Sequence, residues 1–288
     1  GGAVLDMGKA LAAMIPAPDG LMDHLEVVGK AMPLTVAPLP FIALPTTAGT
    51  GAEATKNAVI GVPDHARKVS LRDDRMIARL AIVDPALTDG CPRNVTLASG
   101  LDAITQVIEP YVCARANSFT DALAQPAIAV GIGALMRLMQ TEDAAARDQM
   151  AWVSLCGGLA LANSGLGAVH GLAGVIGGMT PAAHGAICGA LLGPVISMNR
   201  LRATGQPAQR LAEVEQILAE AFQCPAKDAS RALAQWSRLA GLPGLTAQGL
   251  SPNMHPSVAE AARTSSSMAA NPAALSVEDL KQILREAA

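Results

Sequence analysis

Three polar side chains lie at helical spacing in the stretch SGLDAITQVIEP, residues 99–110. In an α-helix, Asp102 and Gln106 are one turn apart on one face, and Glu109 lies on the same side. An acid and an amide directed at one point from a largely apolar helix indicate a metal site, or two polar groups that hydrogen-bond to each other. The spacing alone leaves both interpretations open.

Two histidines could supply further metal ligands. His170 and His184 lie 14 residues apart in the glycine-rich segment NSGLGAVHGLAGVIGGMTPAAHG, which can fold back toward the helix that carries Asp102. Two imidazoles and one carboxylate are a common set of ligands for a divalent metal. Each histidine alone is also typical of a hydrogen-bonded core residue. The remaining histidines have no such neighbours and are predicted to be structural: His24, His65 and His255.

The run LPTTAGTGAEAT, residues 44–55, combines glycines with hydroxyl donors at the end of a predicted strand. Gly49 and Gly51 allow close approach of the backbone to a ligand. The hydroxyl groups belong to Thr46, Thr47 and Thr50. This composition suits the binding of phosphates or of a nicotinamide carboxamide, and it is also typical of a plain loop.

Gly1 and Gly2 precede AVLDMGKALAAMI, whose apolar residues recur at helical spacing. Two glycines before a helix let the backbone approach an anion at the positive end of the helix. Because such a turn normally follows a strand, a flexible end before an ordinary helix is the alternative interpretation.

Composition excludes several classes of protein. The 288 residues are 51% hydrophobic and 16% charged, enough for one large core or two domains. A net charge of -3 and an aromatic content of 2% argue against nucleic-acid binding. No apolar run reaches about 18 residues and the first residues lack a secretion-signal pattern, so no membrane contact is expected. Five cysteines without a C-x-x-C pair indicate reduced thiols and a cytoplasmic location.

The pattern changes near residue 90. Before it, the β-rich runs FIALP, NAVIGV, KVSLR and LAIVD alternate with turns and one helix. After it, helical periodicity continues almost to the end. The predicted helices are 93–111, 117–139, 143–163, one from about 167, 185–199, 206–222, 227–240 and one from about 276. The sequence therefore predicts an α/β part at 1–90 and an all-helical domain at 91–288, with no paired strands within 110–240.

Taken together, the motifs resemble one known family. GGAVLDMGKA, LPTTAGTGAEAT, IVDP, SGLDAITQVIEPY, NSFTDALA and VHGLAGVIGGMTPAAHG occur here in the order typical of the iron-containing, or group III, alcohol dehydrogenases. The resemblance implies a dehydroquinate synthase-like fold, in which an α/β dinucleotide-binding domain and an all-helical domain enclose a cleft. Hydride passes there between a nicotinamide and an alcohol or aldehyde carbon.

The resemblance also implies roles for individual residues. The pyrophosphate of NAD or NADP is expected at the glycine turn: Gly1, Gly2, Ala3 and Asp6. The nicotinamide side is expected at the threonine loop and at a hairpin residue: Thr46, Thr47, Thr50 and Lys68. The four metal-ligand positions are Asp102, Gln106, His170 and His184. No catalytic residue follows from the motifs.

Three departures from the family pattern matter. Gln106 replaces a ligand histidine, so weak, substoichiometric Fe²⁺ or Zn²⁺ is expected, and Gln106→His should raise metal affinity at least about tenfold. Gly174 stands where many members have a histidine that relays a proton. Family members also carry roughly 90 residues before the glycine turn, about three strand-helix units. Weak cofactor binding is expected without these residues. The side chain that determines the preference for NAD or NADP would lie among them.

The predicted function is NAD(P)-dependent interconversion of a small alcohol or hydroxy acid with its carbonyl compound. A bound metal would polarise the carbonyl oxygen, and without one Gln106 could donate a hydrogen bond to it. A maleylacetate-reductase-like or glycerol-dehydrogenase-like activity, and a non-catalytic remnant, are the alternatives. The expected partner is a small alcohol or aldehyde, and a homodimer is left open.

Overall fold

The computed structural model describes all 288 residues, Gly1 to Ala288, and its strands lie only in the first part of the chain. The four strands are β1 (Ile42–Ala43), β2 (Asn57–Val62), β3 (Arg67–Arg72) and β4 (Leu80–Ala81). β1 and β4 pair in parallel, and β2 and β3 form an antiparallel hairpin in which Gly61 faces Lys68. No strand follows Ala81, in agreement with the prediction for 110–240.

Helices make up most of the rest. The first part contains α1 (Gly2–Met14) and α2 (Leu21–His24). The second part contains α3 (Arg93–Val112), α4 (Ser118–Leu138), α5 (Ala144–Asn163), α6 (Ala168–Met179), α7 (His184–Arg202), α8 (Gly205–Phe222), α9 (Ala229–Leu239), α10 (His255–Arg263) and α11 (Val277–Glu286).

The structure differs from the sequence prediction in two respects. FIALP and LAIVD form strands of only two residues each, which pair with one another. The short helices α2 and α10 were not predicted. α10 is only nine residues long and packs against α6 and α11, so its stability comes from tertiary contacts that a short periodic run does not reveal.

Side-chain caps fix where several helices begin. The side chain of Asn117 accepts a hydrogen bond from Thr120 N–H at the start of α4, and Asp143 accepts one from Ala146 N–H at the start of α5. Ser276 accepts from Asp279 N–H at the start of α11. These bonds satisfy N–H groups that have no partner within the helix.

The apolar core divides in the same place as the sequence pattern. A cluster of 52 buried residues runs from Leu97 to Ala287 within the helical part. The first part has two separate clusters of 8 and 3 buried residues. The domain boundary at residue 90 stays a prediction, and the separate cores are consistent with it.

One helix has the length and composition of a membrane span. α4 has a mean hydropathy of 1.4 over its most apolar window, and α5 with α6 passes the same test only if their 97° bend is disregarded. α4 packs against α3, α5 and α8, and residues such as Ile128 and Leu135 are fully buried in the helical core. These contacts are those of a helix inside a bundle.

Helices α3 and α7 approach each other closely. A Cβ at Gly185 would lie 2.4 Å from the carbonyl oxygen of Ala98, and a Cβ at Gly189 would lie 2.6 Å from Leu101 Cδ1. Any larger side chain at Gly185 would therefore separate the helix backbones. This close approach brings the first turns of α7 against the middle of α3.

Candidate metal and cofactor site

Four potential metal ligands converge where α3, α6 and α7 meet. The donor atoms of Asp102, His170, His184 and Cys188 all lie within 4.8 Å of one another. His170 Nε2 is 3.4 Å from Asp102 Oδ1, and His184 Nε2 is 3.8 Å from the same oxygen. Cys188 Sγ is 3.6 Å from His184 Nε2. The structure thus brings together three of the four residues that the sequence predicted as ligands.

Asp102 is the centre of this cluster. Its side chain is 2% exposed, and its Oδ1 atom is buried without a hydrogen bond. A buried acceptor without a partner costs about 1–3 kcal/mol, so a cation at this position would satisfy it. Burial acts to raise the pKa of Asp102, but the nearby His184 and His170 outweigh it and hold the pKa below its ordinary value. The carboxylate is therefore ionised and available.

His170 lies between two carboxylates. Its Nε2 faces Asp102, and its Nδ1 is 2.7 Å from Glu109 Oε2. Burial acts to lower the pKa of His170, but the neighbouring carboxylates of Asp102 and Glu109 raise that pKa to about 10. A proton therefore balances the two negative charges when no metal is bound, and a divalent metal would replace it.

Glu109 also anchors the start of α6. Its Oε1 accepts a hydrogen bond from Val169 N–H at 2.7 Å, and Asn271 Oδ1 accepts one from Ala168 N–H at 2.9 Å. The same carboxylate therefore fixes the ring of His170 and the first turn of the helix that carries it. Sequence spacing placed Glu109 on the same side of α3 as Asp102 but assigned it no role.

Gln106 contacts the threonine loop. Its side chain is buried, and its Nε2 donates a hydrogen bond of 2.9 Å to the carbonyl oxygen of Gly49. No hydrogen bond joins Gln106 to Asp102, so the interpretation in which the acid and the amide satisfy each other does not describe the structure. The role of Gln106 as a metal ligand stays a prediction.

The predicted phosphate turn and threonine loop lie against each other. The terminal amino group of Gly1 donates to Thr46 Oγ1 at 3.0 Å. A Cβ at Gly2 would lie 2.7 Å from Thr50 Oγ1, and one at Gly1 would lie 3.2 Å from Thr47 Oγ1. These five residues therefore form one continuous surface at the N-terminal end of α1.

The other predicted cofactor residues lie at different distances from this surface. Ala3 is exposed in the first turn of α1. Asp6 lies further along the helix, and its carboxylate accepts a hydrogen bond from Val59 N–H in the hairpin at 3.1 Å. Asp6 thus holds β2 in place and faces away from the helix end. Its role in pyrophosphate binding stays a prediction.

Lys68 places a positive charge beside α6. A Cβ at Gly177 would lie 3.3 Å from Lys68 Nζ, and Lys68 makes no hydrogen bond or ion pair. Nearby, a Cβ at Gly178 would lie 2.6 Å from the carbonyl oxygen of Ala66, so the hairpin backbone rests on α6. Lys68 therefore lies where the hairpin packs against α6.

Sequence reasoning missed Cys188. Because Cys188 follows His184 by four residues, helical spacing places both on one face of α7, and this was the available signal. The other three histidines are outside the cluster: His24, His65 and His255. His24 Nδ1 is 2.9 Å from the carbonyl oxygen of Met32, as expected of a structural residue.

Two family models together match almost the whole chain. Residues 1–85 match the model described as iron-containing alcohol dehydrogenase. Residues 96–288 match the C-terminal part of the Fe-containing alcohol dehydrogenase family. The chain belongs to the iron-containing alcohol dehydrogenase family. The resemblance and the fold class predicted from the sequence motifs are confirmed.

Individual members of the family show how much of the chain is shared. A probable alcohol dehydrogenase EutG of Escherichia coli (strain K12) is 38% identical over 202 residues, which cover 70% of this chain and 50% of that protein. The NAD-dependent methanol dehydrogenase of Bacillus methanolicus is 32% identical over 297 residues, covering 100% of this chain and 75% of that protein. The aligned part of the chain spans half the length of the first relative.

A solved structure of 1,3-propanediol oxidoreductase has the same fold. It superposes with a TM-score of 0.87 at 29% identity, and the match covers 100% of this chain and 75% of that one. The two-part arrangement of an α/β segment and a helical segment is therefore that of the iron-containing alcohol dehydrogenases.

Proposed function

We propose that this chain acts as an NAD(P)-dependent oxidoreductase that interconverts a small alcohol or hydroxy acid with its carbonyl compound. The observation that carries the proposal is the buried Oδ1 atom of Asp102, which has no hydrogen bond and lies 3.4 Å and 3.8 Å from imidazole nitrogens of His170 and His184. One carboxylate and two imidazoles fit Zn²⁺ or Fe²⁺. When bound, such a metal polarises the carbonyl oxygen of the substrate as a Lewis acid.

The surrounding residues hold these ligands in position. Glu109 accepts the Nδ1–H of His170, which leaves Nε2 of the ring free to face Asp102. His184 is 37% exposed, whereas Asp102 and His170 are buried, so the cluster meets solvent at His184. Substrate approach is therefore expected from the side of His184.

The cofactor is proposed to bind where α1 begins. The N–H groups and dipole of a helix N-terminus suit a pyrophosphate. Gly1 and Gly2 let the threonine loop pack against this helix end. Hydroxyl groups of the threonine loop (Thr46, Thr47 and Thr50) can hold the nicotinamide side. Gln106 fixes this loop to α3 one helical turn from Asp102, about 6 Å along the axis. That link sets the separation between the nicotinamide and the substrate carbonyl.

The proposal assigns the two parts of the chain different tasks. Residues 1–90 would bind the dinucleotide, and residues 91–288 would hold the metal and the substrate. Relatives are named for methanol and 1,3-propanediol, which supports a short, oxygen-bearing substrate here. The cytoplasmic location and the homodimer remain predictions from the sequence.

A turnover assay tests the proposal. The purified chain, loaded with Zn²⁺ or Fe²⁺, is mixed with NADH or NADPH and a panel of small aldehydes and hydroxy ketones, with maleylacetate and dihydroxyacetone included. We expect oxidation of the reduced cofactor with at least one small carbonyl compound. Asp102→Ala should abolish it, while Asp148→Asn, a change of an exposed acid that makes no hydrogen bond or ion pair, should leave it unchanged.

Different outcomes separate the alternatives. Activity restricted to maleylacetate or to dihydroxyacetone would favour the narrower reductase activities. No turnover with either cofactor by a folded, metal-loaded chain would contradict the proposal and favour a non-catalytic role.

A further inference from the structure

We propose that the thiolate of Cys188 is a fourth protein ligand of the metal, in the place that the family resemblance gives to residue 106. This inference rests on the proposed metal site of Asp102, His170 and His184. It changes the expected ligand set from three nitrogen or oxygen donors plus a weak amide to two imidazoles, one carboxylate and one thiolate. A substrate oxygen in the proposed reaction would then be a fifth ligand.

The distances between donor atoms support this set. Zinc bonds of about 2.0–2.3 Å in a tetrahedral arrangement place neighbouring ligand atoms about 3.3–3.8 Å apart. The separations of Asp102 Oδ1 from the histidine nitrogens are 3.4 Å and 3.8 Å, and that of Cys188 Sγ from His184 Nε2 is 3.6 Å. Three of the distances between donor atoms therefore already match those around a single tetrahedral metal ion.

The packing of α7 explains why the thiol reaches the cluster. Gly185 and Gly189 bring the backbone of α7 against α3, and His184 and Cys188 begin and end the same helical turn. Cys188 is fully buried, so its Sγ atom faces the protein interior and not solvent. The buried Asp102 Oδ1 without a hydrogen bond is the independent sign that a cation belongs among these groups.

Gln106 is engaged elsewhere. Its amide nitrogen donates to the carbonyl oxygen of Gly49, and this bond ties α3 to the threonine loop. A neutral amide oxygen is also a weaker ligand than a thiolate for a borderline metal. The side chain of Gln106 therefore anchors the threonine loop, and the thiol of Cys188 supplies the remaining strong metal donor.

Binding of the metal has a defined proton balance. The Cys188 thiol gives up its S–H proton to solvent when the metal–sulfur bond forms, and a coordinated His170 releases the proton that it shares with the carboxylates. Because thiolate is a soft ligand, the set should favour Zn²⁺ over Fe²⁺. No oxidation or reduction is involved.

Cobalt spectroscopy of the whole chain tests the proposal. The purified protein is stripped with a chelator and titrated with Co²⁺ without oxygen. We expect one equivalent of Co²⁺ to bind with a near-ultraviolet sulfur-to-cobalt charge-transfer band. Cys188→Ala should remove this band and weaken Zn²⁺ binding at least about tenfold, about 1.4 kcal/mol. Cys156→Ala is the matched control, because Cys156 is buried in α5 outside the cluster and should keep the band.

The outcomes distinguish this proposal from the proposed function. One equivalent of bound Co²⁺ without the charge-transfer band in the unaltered protein would overturn the role of Cys188 and leave the metal site standing. A Cys188→Ala variant that keeps both the band and the affinity would overturn that role in the same way. Failure of the unaltered protein to bind Co²⁺ or Zn²⁺ at all would contradict both proposals. The measurement on the unaltered protein needs no variant, so it stands even if Cys188→Ala does not fold.

Discussion

The Oε2 atom of Glu109 accepts a hydrogen bond from Nδ1 of His170 at a distance of 2.7 Å. With Nδ1–H donating to Glu109, Nε2 faces Asp102 at 3.4 Å and is the ring nitrogen that would bind a metal once it has lost its proton. Carboxylates in this position orient a ligand histidine and make it a better donor.

We therefore expect Glu109→Gln to weaken Zn²⁺ binding about 10–100-fold. The amide can accept from Val169 N–H or from His170 but not from both, so either the start of α6 or the imidazole loses its partner. Competition with a chelating dye measures the affinity. Glu215→Gln, which alters a pair with the partly exposed Arg200, is the control and should bind Zn²⁺ normally. Equal affinities in the two variants would show that Glu109 does not position the ligand.

Gln106→Leu should loosen the threonine loop. The substitution places an apolar side chain of similar size in α3 and removes the donor to the buried Gly49 carbonyl, which costs about 1–3 kcal/mol. Urea unfolding measures the loss, and KM for the reduced cofactor should rise because the loop loses its tie. Gln216→Leu on the exposed face of α8 should change the unfolding free energy by less than about 0.5 kcal/mol. A Gln106→Leu protein as stable as the control would contradict the role of this bond.

Gly185→Ala should damage both stability and metal binding. The added Cβ would lie 2.4 Å from the Ala98 carbonyl oxygen, so α7 must move away from α3 at a cost of about 1–3 kcal/mol. The same movement carries His184 and Cys188 away from Asp102. Gly133→Ala is the matched helix control, because a Cβ there meets nothing within 4 Å, and it should stabilise by up to about 1 kcal/mol. Thermal unfolding and Zn²⁺ titration of both variants check the contrast.

The capping box of α11 predicts a pH dependence of stability. Asp279 accepts hydrogen bonds from Arg202 and from Ser276, and the bond from Arg202 does most to hold the pKa of Asp279 below its ordinary value of 3.8. The ionised carboxylate therefore stabilises the folded chain above about pH 3.8, and this contribution is lost as pH falls through the lower, folded-state pKa.

Asp279→Asn should accordingly lower the unfolding free energy by roughly 1 kcal/mol at pH 7, and the difference from the unaltered protein should shrink below pH 4. Urea unfolding at a series of pH values measures it. Asp148→Asn should match the unaltered protein throughout. A difference for Asp279→Asn that stays constant down to pH 3 would refute the assignment.

The sequence predicted three of the four residues that converge in this cluster, because the motifs that carry them are short and continuous. Asp102, Gln106 and Glu109 recur at helical spacing in one continuous run, and the glycine-rich segment between His170 and His184 is long enough to return to that helix. Helical spacing also placed Glu109 correctly. What the spacing could not provide was the partner of each polar group, since that depends on which helices come together.

The remaining assignments depended on such contacts. Gln106 is bound to Gly49, a residue of a loop 57 positions earlier in the chain, and no periodicity predicts that pairing. Asp6 likewise accepts a hydrogen bond from the backbone N–H of Val59, 53 residues away in the hairpin, and periodicity does not predict that contact either. Cys188 reaches the cluster only because Gly185 lets two backbones approach, which becomes apparent once the crossing of α3 and α7 is known.

The contact between the hairpin and α6 has a consequence for the motion of the molecule. The hairpin belongs to the proposed cofactor part, yet its Ala66 carbonyl rests directly on Gly178 of α6, the helix that carries His170. A rotation that preserves this contact has its axis near the hairpin, because displacement is smallest where the two parts touch. A movement of the two parts that keeps this contact would leave Lys68 at nearly its present distance from Asp102, His170 and His184.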